Sequence, residues 1–236
     1  MSKSSDIGPA SIQIAECDNL PRTLLLDLDG TLVDTVPDLA AALNRLMVSR
    51  ALPAFALPQV ARMVGDGVPT LIQRAFAAHG GTPDPRAVED FLADYDRHVA
   101  VESRLYPGVA EALAAMARGG WRLAVCTNKP EKAARLLLDA VGLLPLLATV
   151  GGGDSFPVRK PDPRHLLRTL ALIGGEAGRS LMLGDHHNDV ASAAGAGMGC
   201  IFALWGYGDA NQSQGASAVA STMAEAAAAA ERLLPA

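Results

Sequence analysis

The sequence predicts an α/β fold: a doubly wound parallel sheet carrying an inserted, all-helical cap subdomain. Three observations carry this expectation. Short, largely apolar segments recur at 23–26, 121–126, 180–183 and 199–204, as in strands buried on both faces of a parallel sheet. Between them stand stretches of helical periodicity that open at proline or stop at glycine. From about residue 37 to 104 the strand pattern ceases and only helical spacing remains. Alternating strands and helices, interrupted after the first strand, describe such a sheet with a helical lid.

Each element follows from its residues. Residues 1–20 are polar and mixed, which predicts a loosely ordered tail. Thr23 to Leu26 form the first strand, and Asp27 and Asp29 fall at its carboxyl end, where open α/β sheets bind ligands. Asp29-Gly30 alone reads as a turn. The pattern Asp-x-Asp-Gly-Thr, however, is expected by chance in only about a few chains per thousand of this length, which favours chemistry. Pro37 opens a helix in which Leu39, Leu43 and Leu46 recur through Arg50. Leu57 to Val64, Pro69 to Ala78 and Asp84 to Ala100 accept helical readings, with Gly65-Asp66-Gly67 as a turn between two of them.

Tyr106-Pro107-Gly108 marks the return to the main domain, followed by a helix over 109–117 that stops at Gly119-Gly120. Trp121 to Cys126 is a strand ending at Thr127-Asn128, and Pro130 opens a helix to about Val141. Ala148 to Val150 can form a third strand. Lys160-Pro161-Asp162-Pro163 is extended or turned, and a helix runs on to about Leu172. The strand 180–183 ends at Gly184-Asp185, a helix covers 188–196, and a further strand covers 199–204. The alanine-rich 222–234 has high helix propensity.

Composition sets bounds on function. Half of the 236 residues are apolar, enough for a sizeable core, and the net charge of −5 without Lys/Arg runs argues against nucleic acid as a partner. Cys17, Cys126 and Cys200 are odd in number and lack metal-ligand spacing, which reads as reduced thiols. No apolar stretch reaches about 18 residues and no secretion signal opens the chain, so the expectation is a cytoplasmic protein without membrane association.

Asp27 and Asp29, Thr127 and Asn128, Lys160, and Asp185 with Asp189 all lie at strand ends or in loops that a parallel sheet brings to one edge. Taken singly, Thr127-Asn128 or Asp185 reads equally as a helix cap, and Lys160 as a solvated lysine. Together they form an acidic cluster that needs a proton or a divalent cation, and hard oxygen donors favour magnesium. His186 and His187 are neighbours in sequence and read as solvent-facing loop residues rather than ligands. Magnesium with Lys160 would offset a phosphate dianion, while Thr127 and nearby backbone donors hold its oxygens.

These motifs resemble those of the haloacid dehalogenase-like hydrolase superfamily: DLDGT the first, Thr127-Asn128 the second, Lys160 the third, and GDHHND the fourth. The resemblance spans about Thr23 to Leu234. It implies a Rossmann-like core over 21–36 and 105–236 with a cap over 37–104. It further implies Asp27 as the nucleophile that forms an aspartyl phosphate. Asp29 is then the general acid/base and, through its carbonyl, a magnesium ligand; Asp185 is a second acidic ligand, Asp189 supports the metal shell, and Lys160 orients Asp27. Phosphate binding falls to Thr127, Asn128 and Lys160. The acid at position 29 points to phosphate rather than halide chemistry. The segment 64–76 and the WGYG stretch, Trp205 to Gly208, resemble phosphoglycolate phosphatases, which implies 2-phosphoglycolate as substrate and a Gly65–Gly67 loop closing over it. In that reading Arg74 either approaches a substrate carboxylate or makes a surface salt bridge. The alternatives are a phosphomutase, a sugar phosphate or pyrophosphate phosphatase, or a binding protein without turnover, as a monomer or homodimer. The paired histidines in GDHHND depart from the family pattern.

Overall fold

The computed structural model describes residues 21–236, so Cys17 and the tail expected over 1–20 lie outside the described residues. β1 (Thr23–Leu26) leads through a tight turn into β2 (Val33–Asp34), and helices α1 (Val36–Ser49), α2 (Leu57–Ala61), α3 (Val68–Ala78) and α4 (Ala87–Tyr95) follow. The chain returns along β3 (Arg104–Leu105), which pairs antiparallel with β2 where the chain leaves and re-enters the main sheet. Then come α5 (Val109–Arg118), β4 (Arg122–Cys126), α6 (Glu131–Ala140), β5 (Thr149–Gly151), α7 (Pro163–Ala171), β6 (Ser180–Gly184), α8 (His187–Gly195), β7 (Gly199–Ala203), β8 (Ala218–Ala220) and α9 (Met223–Leu233).

The main sheet has the order β5-β4-β1-β6-β7-β8, and every pairing in it is parallel. β1 sits at its centre, with Leu25 opposite Ala124 on one side and Met182 on the other. Its side chains alternate between two cores: Leu24 and Leu26 join Leu123, Val125 and Leu183, while Leu25 joins Cys126, Leu166 and Phe202. Full burial of a leucine is worth about 1.5–3 kcal/mol, so the strand's three leucines offset the cost of holding a carboxylate nearly dry just beyond them. Leu28, between the two acids, is fully buried.

The helical expectations hold with shorter bounds in the insertion. α4 begins only at Ala87, because the Asp84 carboxylate accepts the Arg86 N–H in a turn around Pro85, and it ends at Tyr95 in turn bonds from Arg97 and His98. α2 stops at Ala61, and Met63 and Val64 make turn bonds into the Gly65 loop. Among the described residues no helix is long and apolar enough to cross a membrane.

Candidate active site

The strand order reverses between β1 and β6, and in open α/β sheets the crevice at such a reversal is where ligands bind. Asp27 follows β1 and Asp185 follows β6, so the two acids flank it. Thr127 and Asn128 follow β4 on the other side, Lys160 precedes α7, and Asp189 lies in the first turn of α8. All of these side chains except Asp29 are buried, and Asp29 is half-buried.

Lys160 is 3% exposed, which removes its reading as a solvated lysine. Its ammonium donates to Asp189 Oδ1 at 2.6 Å and stands 2.9 Å from Asp27 Oδ1 as an ion pair without an aligned hydrogen bond. Burial opposes its charge, but the Asp189 and Asp27 carboxylates outweigh that and hold its pKa above the ordinary lysine range. Asp185 does not cap α8, whose N-cap is His186. Instead it accepts the Thr31 hydroxyl at 2.7 Å and the Tyr207 N–H at 2.8 Å. Burial and then Asp27 push its pKa up to about 6. Burial also pushes Asp189 upward, against the pull of Lys160.

Oxygens of Asp27, Asp185 and Asp189 lie within 4.8 Å of one another. Three carboxylates face one ammonium, and Asp27 Oδ1 has no hydrogen-bond donor, so the group fits a hard divalent cation. Two glycines make room for it. Gly30, at φ +84°, and Gly206 both pass so close to the Asp185 carboxylate that any Cβ would collide with it.

Asp29 points elsewhere. Its carboxylate accepts from Lys129 at 3.0 and 3.3 Å, and the same ammonium donates to the Tyr95 hydroxyl at 2.8 Å. Neither Lys129 nor Tyr95 was singled out from the sequence. The signal for Lys129 was its place directly after Thr127-Asn128 at a strand end, whereas Tyr95 reads simply as an apolar helix position. Thr127-Asn128 does not cap α6, whose N-cap is Pro130. The Asn128 amide donates to Gly65 O at 3.0 Å and Lys160 O at 2.9 Å, joining two loops. Among the described residues the backbone N–H groups of Asp29 and Asn128 meet no acceptor, and both residues line the cleft with Thr127.

The cleft encloses about 490 Å³ of space, part of it open to solvent, between these strand ends and an apolar wall of Leu39, Val64, Val68 and Leu71. Arg74 makes the salt bridge, to Asp66 at 2.5 Å, and donates to Met63 O. The expectation that His186 faces solvent is corrected: its ring is half-buried directly beneath Gly65, because the loop crosses over the start of α8. His187 is exposed. Both histidines approach Asp66, whose two oxygens are already taken by Asn188 and Arg74.

Residues 21–197 match the family model for haloacid dehalogenase-like hydrolases, which is most of the chain. The chain belongs to that family. Within the haloacid dehalogenase-like hydrolases it is similar to the phosphoglycolate phosphatase of Caulobacter vibrioides, 42% identical over 189 residues that cover 78% of this chain and 80% of that one. The phosphoglycolate phosphatase of Mesorhizobium japonicum is likewise 42% identical, over 79% of this chain and 84% of its own. A crystal structure of a predicted phosphoglycolate phosphatase from Haemophilus somnus superposes with a TM-score of 0.81 at 30% identity, covering 87% of this chain and 96% of that one. CbbY from Rhodobacter sphaeroides, solved in complex with phosphate, gives a TM-score of 0.75 at 26% identity over 87% and 96% of the two chains. This haloacid dehalogenase-like hydrolase is a phosphatase acting on phosphate esters.

Proposed function

We propose that the chain hydrolyses 2-phosphoglycolate with magnesium, through an aspartyl phosphate on Asp27, beneath a helical cap formed by residues 37–104. The observation that carries the reading is the buried Lys160 ammonium between Asp27 and Asp189, with Asp185 beside them. Magnesium would be held by Asp27, Asp185 and the Asp29 carbonyl with Asp189 in support, and when bound it lowers the repulsion between these acids and the ester dianion.

The chain's own residues supply the rest. The free N–H groups of Asp29 and Asn128 and the Thr127 hydroxyl hold phosphate oxygens. An Asp27 oxygen attacks phosphorus, the bond from phosphorus to the glycolate oxygen breaks, and protonated Asp29 gives that oxygen its proton. Water then attacks phosphorus, Asp29 takes the water's proton, and inorganic phosphate leaves Asp27. The loop at Gly65 to Gly67 lies across the cleft and limits the entry of water. The wall of Leu39, Val64, Val68 and Leu71 offers no partners to the hydroxyls of a sugar, which favours a small, poorly hydroxylated alcohol.

Phosphate release tests the reading, on a panel of phosphorylated metabolites with magnesium, with EDTA, and with Asp27→Asn. The expected result is fastest release from 2-phosphoglycolate, none with EDTA, and a loss of at least about a thousandfold in the variant. Turnover by D27N would remove Asp27 as nucleophile. Dependence on a sugar bisphosphate activator without free phosphate would mark a phosphomutase instead.

A further inference from the structure

Lys129 is a buried cation to which the steps above give no task. Its side chain is 2% exposed, yet it lines the cleft together with Tyr95 from α4. Its ammonium donates to both Asp29 oxygens, at 3.0 and 3.3 Å, and to the Tyr95 hydroxyl at 2.8 Å. The Tyr95 hydroxyl accepts from Lys129, and its own proton likewise has no acceptor among the described residues. Burial pushes that phenol up to about 12, so the proton is present at neutral pH. One donor, the Tyr95 hydroxyl, is therefore left open beside a buried ammonium and the group that serves the leaving oxygen.

We propose that Lys129 and Tyr95 form a subsite for a carboxylate carried by the alcohol part of the substrate, close to the ester oxygen. This rests on the phosphatase reading above and names the class of ester that site selects. Lys129 stands 3.0 Å from Asp29, so a carboxylate one carbon beyond the leaving oxygen falls within reach of the ammonium. Lys129 lines the cleft, whereas Lys160 is held between Asp27 and Asp189, and Arg74 is held by Asp66. Arg159, exposed beside Gly67, is the rival at the rim. Esters without a carboxylate leave the Tyr95 hydroxyl without an acceptor, and a site built around a charged hydrogen bond discriminates by about 10- to 100-fold.

The test compares kcat/KM for 2-phosphoglycolate and 2-hydroxyethyl phosphate, which differ in the carboxylate. Wild type is compared with Tyr95→Phe, Lys129→Met and Arg159→Gln. Wild type is expected to prefer the carboxylate ester, and the ratio to fall about tenfold or more in Y95F, mainly through KM, and further in K129M. Y95F keeps the buried ring, so its folding is not at issue, and a melting curve checks K129M. A ratio unchanged in both variants, or one that falls only in R159Q, overturns the subsite. Equal release from both esters by wild type overturns the subsite and leaves a phosphatase of other selectivity. No release from either ester removes the underlying reading as well.

Discussion

His165 sits in α7, fully buried, between two pieces of backbone. Its Nδ1 accepts the Lys160 N–H at 3.2 Å, which needs the neutral ring, and its Nε2–H donates to Gly152 O at 3.0 Å. Burial, with Lys160 nearby, pulls its pKa down to about 4 from 6.5. Because the folded value lies below the unfolded one, the stabilisation is complete above about pH 6.5 and is lost as pH falls towards 4. His165→Asn removes this titration. The stability difference between wild type and H165N, from urea midpoints, is expected to shrink by up to about 3 kcal/mol between pH 7 and pH 4. A difference that stays flat would remove His165 as the group that fastens the Lys160 loop. His165 was not legible in the sequence, since its partners are carbonyls and amides that no motif names. Asp27 and Asp185 were legible because charged groups at the ends of apolar strands have few structural reasons to be there, whereas Lys160, in a loop, and Asp189, in the first turn of α8, were legible only together with them and through the motifs they complete. Lys129 and Tyr95 come from segments on either side of the cleft, and only folding pairs them.

Strands β1, β4, β6 and β7 could be read directly, because burial on both faces makes them continuously apolar. β2 and β3 have two residues each and β8 three, too short for any period to register. The sequence also pointed to the Gly65 loop as a turn, but not to what lies under it. Gly65 has φ +121°, and a Cβ there would come within 2.9 Å of the His186 ring. Its carbonyl accepts from Asn128, so the loop is fixed to the main sheet at the cleft. Gly65→Ala is expected to lift it. Strain at such a φ costs about 1–3 kcal/mol, which places the fall in kcat/KM near tenfold, and KM should rise. Adding His186→Ala opens space below while leaving the φ strain, so part of the loss should return in steady-state kinetics. No rescue would mean that the collision with His186 does not set the position of the loop.

At the scale of the molecule, the family match ends at residue 197, before β7, β8 and α9. The doubly wound order was legible from the alternation of elements, but how much of the sheet the site needs was not, because strand neighbours are set by long-range pairing. β6 carries Asp185 at its end and pairs along its length with β7 through Leu181–Gly199 to Gly184–Phe202. Beyond β7, Trp205 donates to Thr31 O at 3.0 Å, and Tyr207 holds Asp185 through its N–H and Asp34 through its hydroxyl. α9 closes the other side: Arg22, just before β1, meets Glu231 at 2.5 Å, and Trp121 donates to Glu231 at 2.6 Å. A fragment of residues 21–197 would therefore leave β6 as an open edge and strip Ile201, Phe202, Met223 and Ala226 from the two cores. Four such side chains are worth several kcal/mol, about the whole margin by which a domain of this kind is stable. The fragment is expected to show no cooperative melting transition by circular dichroism and no phosphate release. A cooperative transition in the fragment would mean that the matched region folds alone. Asp185 would even then lack the Tyr207 N–H, and the metal requirement of any remaining turnover would report that loss separately.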